Sequence, residues 1–156
     1  FNSGIISIDN LVDNYLKIYD NYIYYIGTAS YGETAVLHRI NKTTGSETEL
    51  FTYDSEYDSS YNYELNFSND SIFLIDGSII KKINIADGLL SADFGTSGLI
   101  EYSSAIYIDN SIQTDDNYIY IPLVENISGY YAGNWHIEIR DKNTGHVVTG
   151  PLIVKE

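Results

Sequence analysis

The chain has 156 residues, long enough to bury one sizeable core. Its 22 acidic residues against 8 Lys and Arg leave a net charge of −14, which argues against nucleic acid or an anionic membrane as partner. There is no Cys for a disulfide framework or a thiolate metal site, and no apolar run approaches the ~20 residues that span a bilayer.

Taken in chain order, the segments are short and β-like. The first residue is Phe1 rather than Met, which reads as a processed product or a fragment. "GIISI" (4–8) precedes "DNYIY" (20–24), the first well-patterned strand. After it comes an insertion, "GTASYGETA", Gly27–Ala35, carrying Tyr31. Next are "LHRINKTTG", ending at Gly45, and "SETELFTY". The acidic stretch "YDSEYDSS" leads into "NYELNF" and then "NDSIF" (69–73). A tight turn, "DGS" at Asp76–Ser78, opens "IKKINIADG", ending at Gly88, and "LLSADFG" follows. "SAIYI" and "TDD" then lead to the second "DNYIY" (116–120). The second long insertion, "ENISGYYAGNW", Glu125–Trp135, precedes "IEIRDKNTG", ending at Gly145, and "HVVTGPLIV".

The order repeats. The "DNYIY" elements and their degenerate copy "NDSIF" start at 20, 69 and 116, in steps of 49 and 47 residues. A period of about 40–50 residues marks a repeat architecture. Each unit offers four short strands, a to d, with "DNYIY" on strand b and a Gly between c and d. The 23 Ile and 16 Tyr suit pleated surfaces, while Asn, Asp, Ser and Gly supply turns. The fold class expected is all-β: three four-stranded antiparallel blades of β-propeller type, approximately 4–53, 61–96 and 100–154, in one domain spanning 1–156. Closed propellers have about 4–8 blades, so three read as part of a longer ring, as a unit that closes with copies of itself, or as units that stack differently. Gly45, Gly88 and Gly145 are expected at positive φ. Asn41, Asn84 and Asp141, four residues earlier, are expected to bond the turn backbone. Ile23, Phe73 and Ile119 are expected to form one buried column, with both faces of every b strand covered.

The c–d signature, a strand running into Asn or Asp, two residues, Thr or Asp, then Gly, resembles the quinoprotein-like propeller repeat. That family usually places a Trp soon after the Gly, where this chain has Leu50–Phe51, Phe94 and Val147–Val148. The resemblance implies the fold. A quinone site in that family uses a Trp platform and Ca²⁺ within a full ring, and with one Trp and three repeats no cofactor is expected.

In such a blade the b–c loops emerge on one face, where binding function concentrates. Tyr31 in the first insertion and Tyr130, Tyr131 and Trp135 in the second are the candidate binding residues. Exposed aromatics there can stack on a sugar ring or anchor a partner protein. The same residues also fit a plainer role, with Trp135 opening strand c and packing in the blade core. No catalytic residue and no metal ligand set is singled out. His38, His136 and His146 lack ligand spacing, the acidic stretches match no calcium loop, and there is no Gly-x-Ser-x-Gly elbow or phosphate loop. The expected function is a non-enzymatic extracellular or cell-surface module. It would bind protein or carbohydrate through the b–c loops and self-associate through open blade edges. The alternatives are part of a glycan-active hydrolase or lyase propeller, which needs carboxylates gathered beside Tyr130 or Trp135, and a subunit of a structural polymer. Four sequons, starting at Asn41, Asn66, Asn69 and Asn126, are what 14 Asn among many Ser and Thr produce by chance.

Overall fold

The computed structural model describes residues 16–28, 34–54, 63–103, 106–108, 112–125 and 135–153. Among these there are thirteen strands, in three antiparallel sheets, and no helix. The first sheet runs in order β1 (Lys17–Tyr19), β2 (Tyr22–Thr28), β3 (Thr34–Asn41) and β4 (Glu47–Asp54). The second is β5 (Tyr63–Ser68), β6 (Ser71–Asp76), β7 (Ile79–Asn84) and β8 (Leu99–Glu101). The third has β10 (Gln113–Thr114), β11 (Tyr118–Glu125), β12 (Trp135–Asp141) and β13 (Val147–Ile153), with β9 (Ile106–Ile108) also paired to β11. The chain divides into two compact units, Phe1–Tyr61 with the first sheet and Asn62–Glu156 with the other two.

The three c–d turns are built alike because their chemistry is local. Gly45, Gly88 and Gly145 have φ of 71°, 75° and 71°, a region L side chains avoid. Each Gly N–H donates to the carbonyl four residues back, at 2.8, 2.9 and 2.8 Å. The side-chain Oδ1 of Asn41, Asn84 and Asp141 accepts from the backbone two residues on, at 2.8, 2.8 and 2.9 Å. Each c–d turn is also tied to its a–b turn. The N–H of Lys42, Ile85 and Lys142 donates to the carbonyl of Asn21, Asp70 and Asn117, at 3.0, 2.8 and 2.8 Å. The polar pair opening "DNYIY" recurs for this reason. Asp20 and Asn69 there take φ of 49° and 52°, which Asp and Asn tolerate, whereas the third copy closes its turn on the Asp115 carboxylate.

Gly45→Ala should cost about 1 kcal/mol, the backbone penalty alone, because nothing lies within 4 Å of the added methyl. Gly145→Ala should cost clearly more, since its methyl would meet Gly95 N at 2.9 Å and Phe94 Cε2 at 3.2 Å. Urea midpoints of the two variants check the order.

The third turn uses Asp where the others use Asn. Hydrogen bonds from the Thr144 backbone, its hydroxyl and the Asn143 backbone outweigh the small cost of burial and hold the Asp141 carboxyl below its ordinary value. The folded pKa thus lies under the unfolded one. This stabilisation is present above about pH 3.8 and is lost as pH falls through the folded value. Asp141→Asn should leave stability at neutral pH nearly unchanged and make the loss in acid shallower, as a urea series across pH would show.

Four expectations are corrected. In the second repeat "LLSADFG" is not a strand. Leu90 makes one bridge to Ile83, and positive φ at Gly95, Ser97 and Gly98 then turns the chain, so the fourth strand is β8. In the third repeat strand a is split into β9 and β10, which pair with opposite ends of β11. The first a strand is β1, while "GIISI" lies outside the described residues. The supposed column of Ile23, Phe73 and Ile119 is out of register by one residue at Phe73. Tyr22, Ser71 and Tyr118 pair with Asn41, Asn84 and Asp141, so Ile72 shares a column with Ile23 and Ile119. Phe73 belongs with Tyr24 and Tyr120. Phe73 and Ile119 are fully buried and Ile23 is only half-buried. Both faces are covered along the whole of β6, but not along β2 or β11.

The corrected register defines two faces on every sheet. The face bearing Ile23, Ile72 and Ile119 is here termed leading, and that bearing Tyr24, Phe73 and Tyr120 trailing. In the second unit the trailing face of the second sheet, with Phe73, Ile75 and Ile80, packs on the leading face of the third, with Ile119, Ile121 and Leu123. Phe94 fills this core, with its ring 5.7 Å from that of Phe73. Polar bonds rim it: Asn66 Nδ2 to Ile112 O at 2.8 Å, Gly95 N to Thr144 O at 2.8 Å and Lys82 Nζ to Lys142 O at 3.1 Å.

Candidate functional site

β11 and β12 pair without interruption from Tyr118↔Asp141 to Val124↔Trp135. Opposed residues share a face, so the trailing face of the third sheet gathers Tyr118, Tyr120, Pro122, Trp135, Ile137 and Ile139, together with Val124, which is buried. Tyr107 joins them through its pairing with Val124. The equivalents in the second sheet, Phe73 and Ile75, are fully buried, but here Tyr118, Tyr120, Pro122, Ile137 and Ile139 are only half-buried and Trp135 is 44% exposed. An aromatic and aliphatic sheet face is therefore left partly open.

One end of this face is held by a hydrogen bond. Tyr120 Oη donates to Asp115 Oδ2 at 2.7 Å. The bond, with two backbone N–H donors from Asn117 and Tyr118, holds the Asp115 carboxyl below its ordinary value, and it pushes the Tyr120 phenol up. The bond restrains the Tyr120 ring, which lowers the entropic cost of stacking on it.

The opposite face of the same strands carries a different chemistry. Tyr102 Oη and Arg140 Nε both donate to Glu138 Oε1 at 2.5 Å, and Arg140 Nη1 donates to Gly145 O at 2.8 Å. Burial first, then the Glu138 contact, raises the Tyr102 phenol far above its ordinary value. Glu138 is consumed by this structural network, on the side of the sheet away from Trp135. In the first sheet Tyr25 stacks on His38 with centroids 4.7 Å apart and bonds Glu47, and His38 Nδ1 lies 2.8 Å from the same carboxylate.

Of the residues singled out in the sequence, Trp135 opens β12 as expected, but it is exposed rather than packed in the core. Tyr31, Tyr130 and Tyr131 lie outside the described residues, in the segments joining β2 to β3 and β11 to β12. Missed were Tyr118, Tyr120, Pro122, Ile137 and Ile139. Their signal was the period-two pattern Tyr-x-Tyr-x-Pro against Trp-x-Ile-x-Ile, which reads equally well as core. Among the described residues no helix is long and apolar enough to cross a membrane. Comparison with family models, with curated proteins and with solved structures gave no match to this chain.

Proposed function

We propose that this chain is a non-enzymatic binding or scaffolding module of an extracellular or cell-surface protein, built from propeller-type repeats like those of the quinoprotein-like family. The observation that carries the reading is the half-open trailing face of the third sheet, with exposed Trp135 toward one end and Tyr120, bonded to Asp115, toward the other. The propeller-type part rests on the a-b-c-d strand order and the stacking of one repeat's trailing face on the next repeat's leading face. Aromatic rings on a rigid strand pair suit the apolar face of a sugar or an apolar protein surface. The charge of −14 favours a neutral or basic ligand, and admits an acidic partner only where salt screens the repulsion.

The test is calorimetric titration of the chain with neutral polysaccharides (laminarin, dextran and xyloglucan) and with a basic protein, lysozyme. Binding of at least one, lost in Trp135→Ala with an unchanged circular dichroism spectrum, is the expected result. If Trp135→Ala behaves as the parent toward every probe, the face is not the binding surface. Release of reducing ends from any of these polysaccharides would replace the reading with a glycan-active enzyme.

A further inference from the structure

We infer that the trailing face of the third sheet binds the leading face of the first sheet in a second copy of this chain, giving head-to-tail assembly. The inference rests on reading that trailing face as a binding surface, and it names the partner. It starts from the packing rule inside the second unit, where a trailing face with Phe73 and Ile75 closes on a leading face with Ile119 and Ile121.

The columns of the repeat then show which faces lack a cover. In the leading column Ile72 and Ile119 are fully buried, and Ile23 of the first sheet is only half-buried; on that face Tyr25 and Ile40 are buried, so the open part is its β1 side. In the trailing column Tyr24 and Phe73 are fully buried, and Tyr120 of the third sheet is only half-buried. The two deficits fall on complementary faces at opposite ends of the repeat order. The exposed large apolar side chains agree. Ile18, paired with Ile23 and on its face, is 66% exposed, and Leu16, two positions earlier, is 42% exposed. Trp135 on the trailing face of the third sheet is 44% exposed. A leading face needs a trailing one, so the contact is heterologous. Copies joined this way close into a ring or grow as a filament, depending on the rotation per step. Each copy carries −14, so repulsion opposes the contact and added salt should favour it.

The experiment is sedimentation velocity on the chain and on Ile18→Glu and Trp135→Glu, substitutions at exposed positions that leave the core untouched. The parent should gain mass above 17.6 kDa as concentration and salt rise. Each variant alone should stay at the monomer mass, because every contact then meets one charged face. An equimolar mixture of the two should pair one intact trailing face with one intact leading face and stop at twice 17.6 kDa. A parent that stays monomeric at every salt concentration overturns the inference. So does a mixture that fails to pair, or a single variant that associates like the parent. The polysaccharide titrations read the binding surface separately, so heat there with a monomeric parent would keep that reading and remove this one.

Discussion

Phe73→Ala is expected to destabilise the second unit by about 3–5 kcal/mol, the usual range for a buried Phe truncated in a core. Phe73 is fully buried at the centre of β6, and its ring meets Phe94 at a 59° tilt. Lys82 Nζ lies 5.9 Å from its ring centre, and burial lowers that ammonium's pKa. Truncation would open a cavity between two sheets tied by a backbone bond, Gly95 N to Thr144 O, and by side-chain bonds from Asn66 and Lys82, so collapse could recover little. Urea unfolding followed by Trp135 fluorescence reports this unit directly, since Trp135 is the only Trp in the chain. A loss under ~1 kcal/mol would mean that the sheets are not packed through this column.

Asp76→Ala should cost a similar ~3–5 kcal/mol, by a different route. Asp76 ends β6 on its leading face, and its Oδ2 pairs with Lys81 Nζ at 2.7 Å with both side chains buried. Its Oδ1 is buried without a hydrogen-bond partner among the described residues, so the pair is already imperfectly compensated. Removing the carboxylate leaves the Lys81 ammonium buried without this counter-charge, which costs more than the pair itself contributes. The double variant Asp76→Leu, Lys81→Met should recover most of the loss. If the double variant is as unstable as the single one, the cost lies in packing rather than in the lost ion pair.

How far the sequence could be read depends on how local the physics is. The c–d turns were legible because Asn or Asp followed four residues later by Gly specifies its own hydrogen bonds within five residues. The strands on either side of the first and third turns followed. The second repeat's fourth strand was not legible, because Ser97 takes a positive φ that nothing in its identity signals. The slip at Phe73 shows the weakness of aligning strands by apolar character. In a run such as "SIFLID" every residue is buried, so the alternation that would fix the register is absent. Hydrogen-bond pairing decided it, and the one-residue change exchanged the two faces. Trp135 stood out in the sequence because it is unique. Tyr118, Tyr120, Ile137 and Ile139 did not, because an apolar period of two is the same whether or not another sheet covers it.

On the function proposed above, the face bearing Trp135 is open on a single chain and is covered by a partner. Acrylamide quenching of Trp135 fluorescence tests it most directly. In dilute protein the quenching should be efficient, and it should fall when a polysaccharide binds or when copies associate at high concentration and salt. Weak quenching in dilute protein, or quenching that stays the same when a partner is bound, would contradict it.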